Sequence, residues 1–172
     1  MRVIAGEFGG RKLIAPEGTV TRPTTDKVRQ ALFNSLSSID VIEGAVVADL
    51  YAGSGALGIE ALSRGAERCL FVERDRAALT ALRANIAALG IEARCAVHAS
   101  DVIAWVPAMR NVDVAFIDPP YAFDAWPALL AKVDVALAVA EADDPVTAPA
   151  GWTQLRSRRY GRTWVTTLQR LA

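Results

Sequence analysis

Short apolar runs and segments of helical periodicity alternate along most of the chain. The apolar runs occupy residues 45–50, 68–73, 93–98, 112–117 and 133–140. They lack regular alternation with polar residues, which is typical of parallel strands covered on both faces. The segments between them have helical spacing, and a face containing Leu79, Leu82 and Ile86 ends at Gly90, a common helix terminator. This pattern predicts an open, mostly parallel α/β sheet covered by helices.

The two ends of the chain do not follow this alternation of apolar runs and helical segments. Residues 154–160 and 162–169 are strand-like runs joined at Gly161, which predicts an antiparallel hairpin and brings the sheet to seven strands. Residues 1–22 are rich in glycine and basic residues and predict a small basic arm or hairpin. Residues 23–172 then form one α/β domain, whose first helix is about fifteen residues long.

Length and composition exclude several classes of protein. The chain has 172 residues, 52% hydrophobic and 22% charged, which suits one domain with a sizeable core. No apolar stretch approaches the roughly 18 residues needed to cross a bilayer, and the first residues lack the apolar region of a signal peptide. We therefore expect a cytoplasmic protein that does not enter the membrane. Cys69 and Cys95 lie in apolar runs and are expected to be reduced core residues.

A formal net charge of zero conceals an uneven distribution. Residues 1–30 contain six Lys or Arg against three acids, and residues 154–172 contain five Arg and no acid. Residues 113–150 contain seven acids and one Lys. The basic residues of the arm include Arg2, Arg11, Lys12 and Arg22. A positive surface of this kind attracts a polyanion by releasing its counterions, although two solvated basic edges would give the same composition.

A glycine-rich segment follows the first predicted strand. Gly53, Gly55 and Gly58 form the pattern G-x-G-x-x-G. Asp49 precedes it in the strand, and Glu73 ends the next strand, twenty residues after Gly53. Glycines let the backbone approach a ligand closely, and an acid at this place accepts hydrogen bonds from both ribose hydroxyls of an adenosine. The pattern fits a dinucleotide site and an S-adenosylmethionine site equally well, and a packing turn with a chance acid is the alternative.

Asp101 follows the third predicted strand, so its carboxylate is expected at the same sheet edge as Glu73. Ligands of open α/β sheets bind outside the carboxyl ends of the strands. Asp101 would there accept a hydrogen bond from an adenine amine, cap the helix that begins at Val102, or serve in both roles.

The motif Asp118-Pro119-Pro120-Tyr121 closes the fourth predicted strand and is the most specific feature of the chain. The two prolines lack N–H groups and restrict the backbone, so their carbonyls are held in fixed directions. Asp118 and the Pro119 carbonyl would each accept one N–H of a planar amine, orienting its lone pair towards a methyl donor. Tyr121 would stack on the base that carries this amine. A rigid turn with a capping aspartate is the alternative.

Other polar residues do not suggest further chemistry. His98 is the only histidine and lies in a strand-like run, so packing is its expected role. No Cys/His cluster has the spacing of a metal site, and we expect no metal. The chain has no G-x-S-x-G elbow, which argues against an acyl-enzyme hydrolase.

These motifs, expected at one sheet edge, together resemble the class I S-adenosylmethionine-dependent methyltransferases that modify amino nitrogens. A closer resemblance is to the bacterial RsmD-type family, which methylates the guanine N2 of 16S ribosomal RNA. It is carried by R-P-T-T-D-K-V-R at residues 22–29 and A-G-S-G-A-L-G-I-E-A-L-S-R-G at residues 52–65. The resemblance extends from Ile4 through Tyr121 and resumes weakly at Val139. The stretch after Tyr121 is shorter than is usual in the family.

The resemblance implies a single-domain Rossmann-like fold and S-adenosyl-L-methionine as the cofactor. We expect a monomer. It implies that the cofactor is bound by Asp49, Gly53, Gly55, Glu73 and Asp101. It implies that the target amine is held by Asp118, Pro119 and Tyr121. The implied partner is 16S rRNA, alone or in the small ribosomal subunit particle. We expect this RNA to be bound by the arm residues Arg2, Arg11, Lys12 and Arg22.

Other functions fit parts of the pattern. The motif at residues 118–121 also suits methylation of adenine or of a protein glutamine amide. An NAD-dependent oxidoreductase would use the glycine-rich segment and Glu73, but it leaves that motif without a role and has no second domain for its substrate. A non-catalytic RNA-binding module would use the basic ends alone, and S-adenosylmethionine would not affect its RNA binding.

Overall fold

Strands and helices alternate through most of the computed structural model, which describes residues 1–18 and 25–172. The helices are α1 Asp26–Ser37, α2 Ala56–Ser63, α3 Arg76–Leu89, α4 Val102–Trp105 and α5 Trp126–Lys132. The strands are β1 Val46–Leu50, β2 Arg68–Glu73, β3 Cys95–Ala99, β4 Val114–Ile117, β5 Leu137–Ala142, β6 Trp152–Tyr160 and β7 Thr163–Arg170. Short 3₁₀ turns at Glu92–Arg94 and Val106–Ala108 precede β3 and follow α4.

Among the described residues, seven strands form one sheet in the order β3-β2-β1-β4-β5-β7-β6. β1 to β5 are parallel, whereas β7 pairs antiparallel with β5 and with β6. The predicted parallel sheet with a C-terminal hairpin is therefore confirmed. The strand order reverses between β1 and β4, and ligands of open α/β sheets bind at such a switch point. A ligand site is thus expected at the carboxyl ends of β1 and β4.

The sheet buries a hydrophobic core on each face. One core packs Val47, Phe71 and Phe116 with apolar residues of α1, α2 and α3. The other core packs Ala48 and Ile117 with apolar residues of α4 and α5. Consecutive strand residues enter opposite cores, which explains the uninterrupted apolar runs in the sequence. In the described ranges, no helix has both the length and the apolar character that a membrane span requires.

The ends of the longer helices coincide with capping residues. At the start of α1, the Thr25 hydroxyl accepts a hydrogen bond from the Val28 N–H at 3.3 Å. At the end of α3, Gly90 adopts the left-handed conformation with φ +67°. α1 has 12 residues instead of the fifteen predicted, because the positions after Leu36 are exposed and further helix would bury nothing.

The fifth strand begins later than the sequence predicts. The apolar run at residues 133–140 is predicted as one strand, but β5 pairs with β4 only from Leu137, which lies opposite Val114 at the start of β4. Val133 and Val135 are buried in the connection that follows α5 and fill the core around that helix. An apolar run therefore indicates burial here, while the partner strand decides where pairing starts.

The N-terminal arm, described for residues 1–18, folds back on itself and packs against the rest of the protein. An antiparallel bridge joins Arg2 and Lys12. Val3 and Leu13 are buried in the core that contains α1, α2 and α3. The arm is therefore a packed element and not a free tail. The predicted boundary between arm and domain, at residue 22, lies outside the described residues and stays a prediction.

A buried carboxylate on α2 anchors the arm. Glu60 accepts hydrogen bonds from the backbone N–H groups of Ile4 at 2.7 Å and Ala5 at 3.1 Å. Arg29 of α1 is fully buried, lies 3.9 Å from the same carboxylate, and donates to an arm carbonyl at 2.7 Å. One buried ionic cluster therefore joins the arm, α1 and α2.

Candidate active site

The glycine-rich loop connects β1 to α2 and turns at two glycines of positive φ. These are Gly53, with φ +57°, and Gly55, with φ +84°. A Cβ atom on Gly55 would lie 2.4 Å from Leu82 Cδ1, whereas a Cβ atom on Gly53 would meet no protein atom within 4 Å. Gly55 therefore lets the loop pack against α3, and Gly53 leaves open space beside the backbone. A ligand that approaches the backbone closely needs such space.

Asp49 holds this loop from inside the protein. Its side chain is buried, and Oδ2 accepts the Gly58 N–H at 2.8 Å in the first turn of α2. Burial raises the pKa of this carboxyl to about 8, and the charge of Glu73 acts in the same direction, while the Gly58 hydrogen bond opposes the shift. A direct contact between Asp49 and the cofactor stays a prediction.

Glu73 ends β2 with its carboxylate fixed beside the loop. Oε2 accepts the Gly53 N–H at 2.9 Å. Oε1 accepts the N–H groups of Arg74 and Asp75, both at 2.8 Å. These three donors fix the orientation of the carboxylate. Because a carboxylate offers about four lone-pair positions, one remains for a ligand hydroxyl.

Asp101 lies at the same edge, since Ala99 at the end of β3 pairs with Glu73. Its Oδ1 caps α4 by accepting the Ala104 N–H at 3.1 Å. Its Oδ2 lies 3.2 Å from Arg74 Nη1 in an exposed ion pair. The predicted capping role is confirmed, and the contact with an adenine amine stays a prediction.

Residues 118–121 leave the sheet directly after β4. The Asp118 N–H donates to the Leu50 carbonyl at 3.4 Å, which keeps the motif beside the end of β1. Asp118 and Pro119 are half-buried, whereas Tyr121 is 87% exposed. A carboxylate and a proline carbonyl therefore lie close to the glycine-rich loop, with an exposed aromatic ring at the rim.

An aromatic cluster that the sequence did not predict lies next to this motif. The Tyr51 ring lies 5.7 Å from that of Phe123, which lies 5.1 Å from that of Trp126, both in edge-on contacts. Tyr51 has φ +62°, which is rare for a bulky side chain and frequent at ligand sites. Burial, together with the charge of Asp101, raises the pKa of the Tyr51 phenol. Only the position of Tyr51 directly before the glycine-rich loop hinted at this cluster in the sequence.

Two of the arm residues predicted to bind RNA also make internal contacts. Arg2 Nε lies 3.2 Å from the Asp26 carboxylate, and Arg11 Nη2 donates to the Ala88 carbonyl at 3.0 Å. Lys12 is exposed. Arg22 lies outside the described residues. RNA binding by these side chains stays a prediction.

Asn85 of α3 links the arm to the glycine-rich loop, and sequence analysis did not identify it. Its amide donates to the carbonyls of Ile14 and Ser54, each at 3.0 Å, and accepts the Ile14 N–H at 2.7 Å. Met1 Sδ lies 4.0 Å from the Ser54 hydroxyl. The arm therefore contacts the loop that is predicted to hold the cofactor. In the sequence Asn85 is only a polar residue on an apolar helix face, and its role as a link is visible only from its hydrogen-bond partners in the fold.

The remaining candidate side chains have packing roles. The His98 ring lies 4.7 Å from the ring of Trp105. Cys69 and Cys95 have free thiols, and burial raises the pKa of both, so the thiolate forms are disfavoured. Across residues 1–18 and 25–172, no group of three or more His, Cys, Asp or Glu side chains is arranged to hold a metal ion.

Comparison with known proteins places this arrangement in a family. The family described as Conserved hypothetical protein 95 matches residues 1–169. A Bacillus subtilis protein provisionally named rRNA methyltransferase YlbH is 39% identical over 179 residues, 96% of each chain. Ribosomal RNA small subunit methyltransferase D of Escherichia coli K12 is 40% identical over 121 residues, 70% of this chain and 60% of the relative. The Escherichia coli structure of yhhF, provisionally named a methyltransferase, has a TM-score of 0.86 and 35% identity, covering 100% and 98% of the two chains.

The seven-stranded sheet, with its glycine-rich loop after β1 and an acid at the end of β2, defines a Rossmann-like methyltransferase fold. The match extends over nearly the whole chain in the family, the Bacillus relative and the solved structure. The chain belongs to the RsmD-type family of methyltransferases, as its sequence motifs predict.

Proposed function

We propose that this protein transfers a methyl group from S-adenosylmethionine to the exocyclic N2 amine of a guanine in 16S ribosomal RNA. The observation that carries the proposal is the position of residues 118–121, which follow β4 beside the glycine-rich loop. A family relative named for methylation of small-subunit ribosomal RNA supports the choice of substrate.

The residues around the glycine-rich loop fit the cofactor. The space beside Gly53 is open, and the oriented carboxylate of Glu73 retains a lone pair for a ribose hydroxyl. Asp101, held by its capping bond to α4, offers an acceptor for the adenine amine. When bound, S-adenosylmethionine supplies an electrophilic methyl group. The side chains of this chain bind the cofactor and orient it.

Asp118 and Pro119 would activate the target amine. An amine on an aromatic base is a weak nucleophile, because its lone pair is delocalised into the ring. Two acceptors, the Asp118 carboxylate and the Pro119 carbonyl, would bind its two N–H groups and turn the lone pair out of the ring plane. The carboxylate would also stabilise the positive charge that develops on nitrogen as the new N–C bond forms and the bond between the methyl group and the cofactor sulfur breaks. The nitrogen would then become neutral again by releasing one N–H proton to solvent.

The target guanine must be unpaired when it reacts. A base inside a helix cannot reach a pocket at the end of a strand, so enzymes of this kind act on a loop nucleotide or extrude the base. The exposed ring of Tyr121 and the nearby cluster of Tyr51 and Phe123 offer aromatic surfaces on which the base would stack.

The test is methyl transfer from labelled cofactor to small ribosomal particles that lack the modification, followed by identification of the methylated nucleoside. We expect N2-methylguanosine with the unaltered protein. Asp118→Ala is expected to lower the rate by about two to three orders of magnitude and to leave cofactor affinity unchanged. Asp124→Ala removes an exposed acid from the same loop and serves as the matched control.

Each alternative gives a different result in this experiment. A methylated adenine, or a methylated glutamine in a ribosomal protein, would contradict guanine as the target. Protection from thermal unfolding by NAD and not by S-adenosylmethionine would contradict the cofactor. RNA binding without methyl transfer would contradict catalysis. Near-normal turnover by folded Asp118→Ala would remove Asp118 from the mechanism.

A further inference from the structure

The C-terminal hairpin formed by β6 and β7 is basic, and the proposed site does not use it. Residues 154–172 contain five arginines and no acid. Arg158 and Arg162, which we call the hairpin arginines, are both exposed, Arg158 near the end of β6 and Arg162 in the turn that follows. An exposed cationic hairpin without acids favours an anionic partner.

Strand register brings the turn of this hairpin to the carboxyl edge of the sheet. Ala140 of β5 lies opposite Ile117, the residue before Asp118, and Ala142 lies opposite Trp164 at the start of β7. The turn that precedes Trp164 therefore lies at the same edge as Asp118. β7 lies two strand spacings from β4 and β6 lies three, which corresponds to about 10 to 14 Å.

Arg158 and Arg162 differ in their interactions from Arg156 and Arg159, two other arginines of the same hairpin. Arg156 donates to the Ser35 hydroxyl at 2.9 Å, and Arg159 donates to the Gly161 carbonyl at 2.9 Å. In the described parts of the chain, neither Arg158 nor Arg162 forms an ion pair or donates a hydrogen bond. Their N–H donors are thus available to a ligand.

Tyr160 supports one of these two side chains. The Arg158 guanidinium carbon lies 5.9 Å from the centre of the Tyr160 ring, within the range of a cation–π contact. Tyr160 itself is partly buried against the core that contains α1. This interaction places the exposed Arg158 head group beside the Tyr160 ring.

The hairpin and the arm approach the site from opposite ends of the sheet. The arm packs on α2 and α3 through Glu60 and Asn85, next to β1 and β2. The hairpin follows β5 at the other end of the strand order. The carboxyl ends of β1 and β4, where the target base is proposed to bind, lie between these two basic elements.

We propose that Arg158 and Arg162 bind backbone phosphates of the substrate RNA beside the target nucleotide, on the side of the site opposite to the arm. The proposal rests on the proposed function, because it requires an RNA substrate. A guanidinium presents N–H donors in a planar fork that matches two phosphate oxygens. Phosphate contacts fix the position of the strand and carry no sequence information. Arg158 and Arg162 would therefore position the RNA and leave the choice of base to the strand-end pocket.

The test compares two double variants in which the same amount of charge is removed. Arg158→Gln/Arg162→Gln removes the proposed phosphate-binding groups, and Arg68→Gln/Arg83→Gln removes two exposed arginines from the amino end of β2 and from α3. The measurements are KM for unmodified small ribosomal particles and RNA affinity at several salt concentrations. For the hairpin variant we expect a roughly tenfold rise in KM and a salt slope shallower by about 0.7 for each phosphate that is no longer neutralised. Cofactor affinity and kcat should stay unchanged.

The outcomes separate this proposal from the proposed function. If the unaltered protein methylates no RNA, the proposed function fails. If it does, and the hairpin variant matches the Arg68/Arg83 control in KM and salt slope, the hairpin does not bind RNA. Restoration of the salt slope by Arg158→Lys/Arg162→Lys would support phosphate binding over a structural effect. Should the Gln double variant unfold, Arg162→Gln alone in the exposed turn is expected to give half the change in slope, and an unchanged slope there would overturn the proposal.

Discussion

Glu73 accepts three backbone hydrogen bonds within the protein, so removal of its side chain would disturb the loop as well as any ligand interaction. Glu73→Gln is the smaller change, because the amide keeps the size of the side chain and one acceptor oxygen, although its N–H₂ then faces a backbone N–H that the carboxylate accepts. We expect S-adenosylmethionine affinity to fall by roughly 1 to 3 kcal/mol, since an amide N–H₂ cannot accept from a ribose hydroxyl. Calorimetric titration measures this. Glu92→Gln, an exposed change at the turn before β3, is the control, and equal affinities in the two variants would place the ribose elsewhere.

The buried carboxyl of Asp49 makes stability depend on pH. Burial raises its pKa from 3.8 to about 8 in the folded protein. Between these values the folded state holds a proton that the unfolded state releases. The stabilising contribution is therefore complete below pH 3.8 and is lost as the pH rises towards 8, with a slope of at most about 1.4 kcal/mol per pH unit.

Replacement of Asp49 by asparagine removes this titration and keeps an oxygen that can accept the Gly58 N–H. We expect Asp49→Asn to flatten the fall of the unfolding free energy between pH 5 and pH 8, which urea titrations at several pH values measure. The variant should gain stability relative to the unaltered protein as the pH rises. If the unfolding free energy changed with pH equally in the two proteins, Asp49 would already be ionised in the folded state.

At the scale of the element, the two glycines of the loop after β1 should respond differently to alanine. Gly55→Ala combines a left-handed backbone with overlap on Leu82, so we expect the unfolding free energy to fall by roughly 2 to 4 kcal/mol. The Cβ added by Gly53→Ala meets no protein atom, so the unfolding free energy should fall by only about 1 to 2 kcal/mol. Its Cβ would instead occupy the proposed ligand space and weaken S-adenosylmethionine binding.

Gly90→Ala is the matched control for both variants. It has a similar positive φ at the end of α3, no protein atom near the added Cβ, and no place at the candidate site. Thermal unfolding and cofactor titration of the three variants separate backbone strain, steric overlap and ligand space. Cofactor affinity that is equal in Gly53→Ala and Gly90→Ala would contradict the assignment of that space.

Elements defined by local signals were predictable from the sequence, whereas their exact limits were not. The Gly90 terminus of α3 and the hairpin turn at Gly161 depend on residues close in sequence, and both are as predicted. The start of β5 depends on β4, about twenty residues earlier, so the apolar run at residues 133–140 does not reveal it. The cluster of Tyr51 and Phe123 was missed for the same reason, since the fold alone brings these two loops together.

At the scale of the whole molecule, the arm is part of the stability of the protein. A variant lacking residues 1–14 would lose the buried side chains of Val3 and Leu13 and would leave the Glu60 carboxylate without two of its donors. We expect the unfolding free energy to fall by roughly 4 kcal/mol or more. Urea unfolding of the truncated and full-length chains measures the difference.

The control keeps the arm and removes its charge. Full-length Arg11→Gln/Lys12→Gln should retain nearly the original stability, since both side chains are exposed. Effects of the arm on RNA binding are therefore best measured with this variant, because truncation would alter the fold at the same time. Equal stability of truncated and full-length chains would show that the arm is a free tail.

The composition of the arm could be predicted from the sequence, but its contacts with the rest of the protein could not. Its basic character and irregular glycine-rich sequence were predictable, and so was the position of residues 118–121 directly after β4. Its attachment to Glu60 and Asn85 was not, because these hydrogen bonds join residues 55 to 71 positions apart in the chain. Local periodicity contains no information on such pairs.

That same attachment sets an order of events during synthesis. The arm precedes Ser54, Glu60 and Asn85 in the chain, so it has no docking site until these residues have been made. Non-local contacts of this length form after local helices and turns. Val3 and Leu13 therefore remain exposed to solvent, and to any chaperone, while α2 and α3 are being synthesised. The arm is therefore made before the helices that hold it and is among the last parts of the chain to reach its final position.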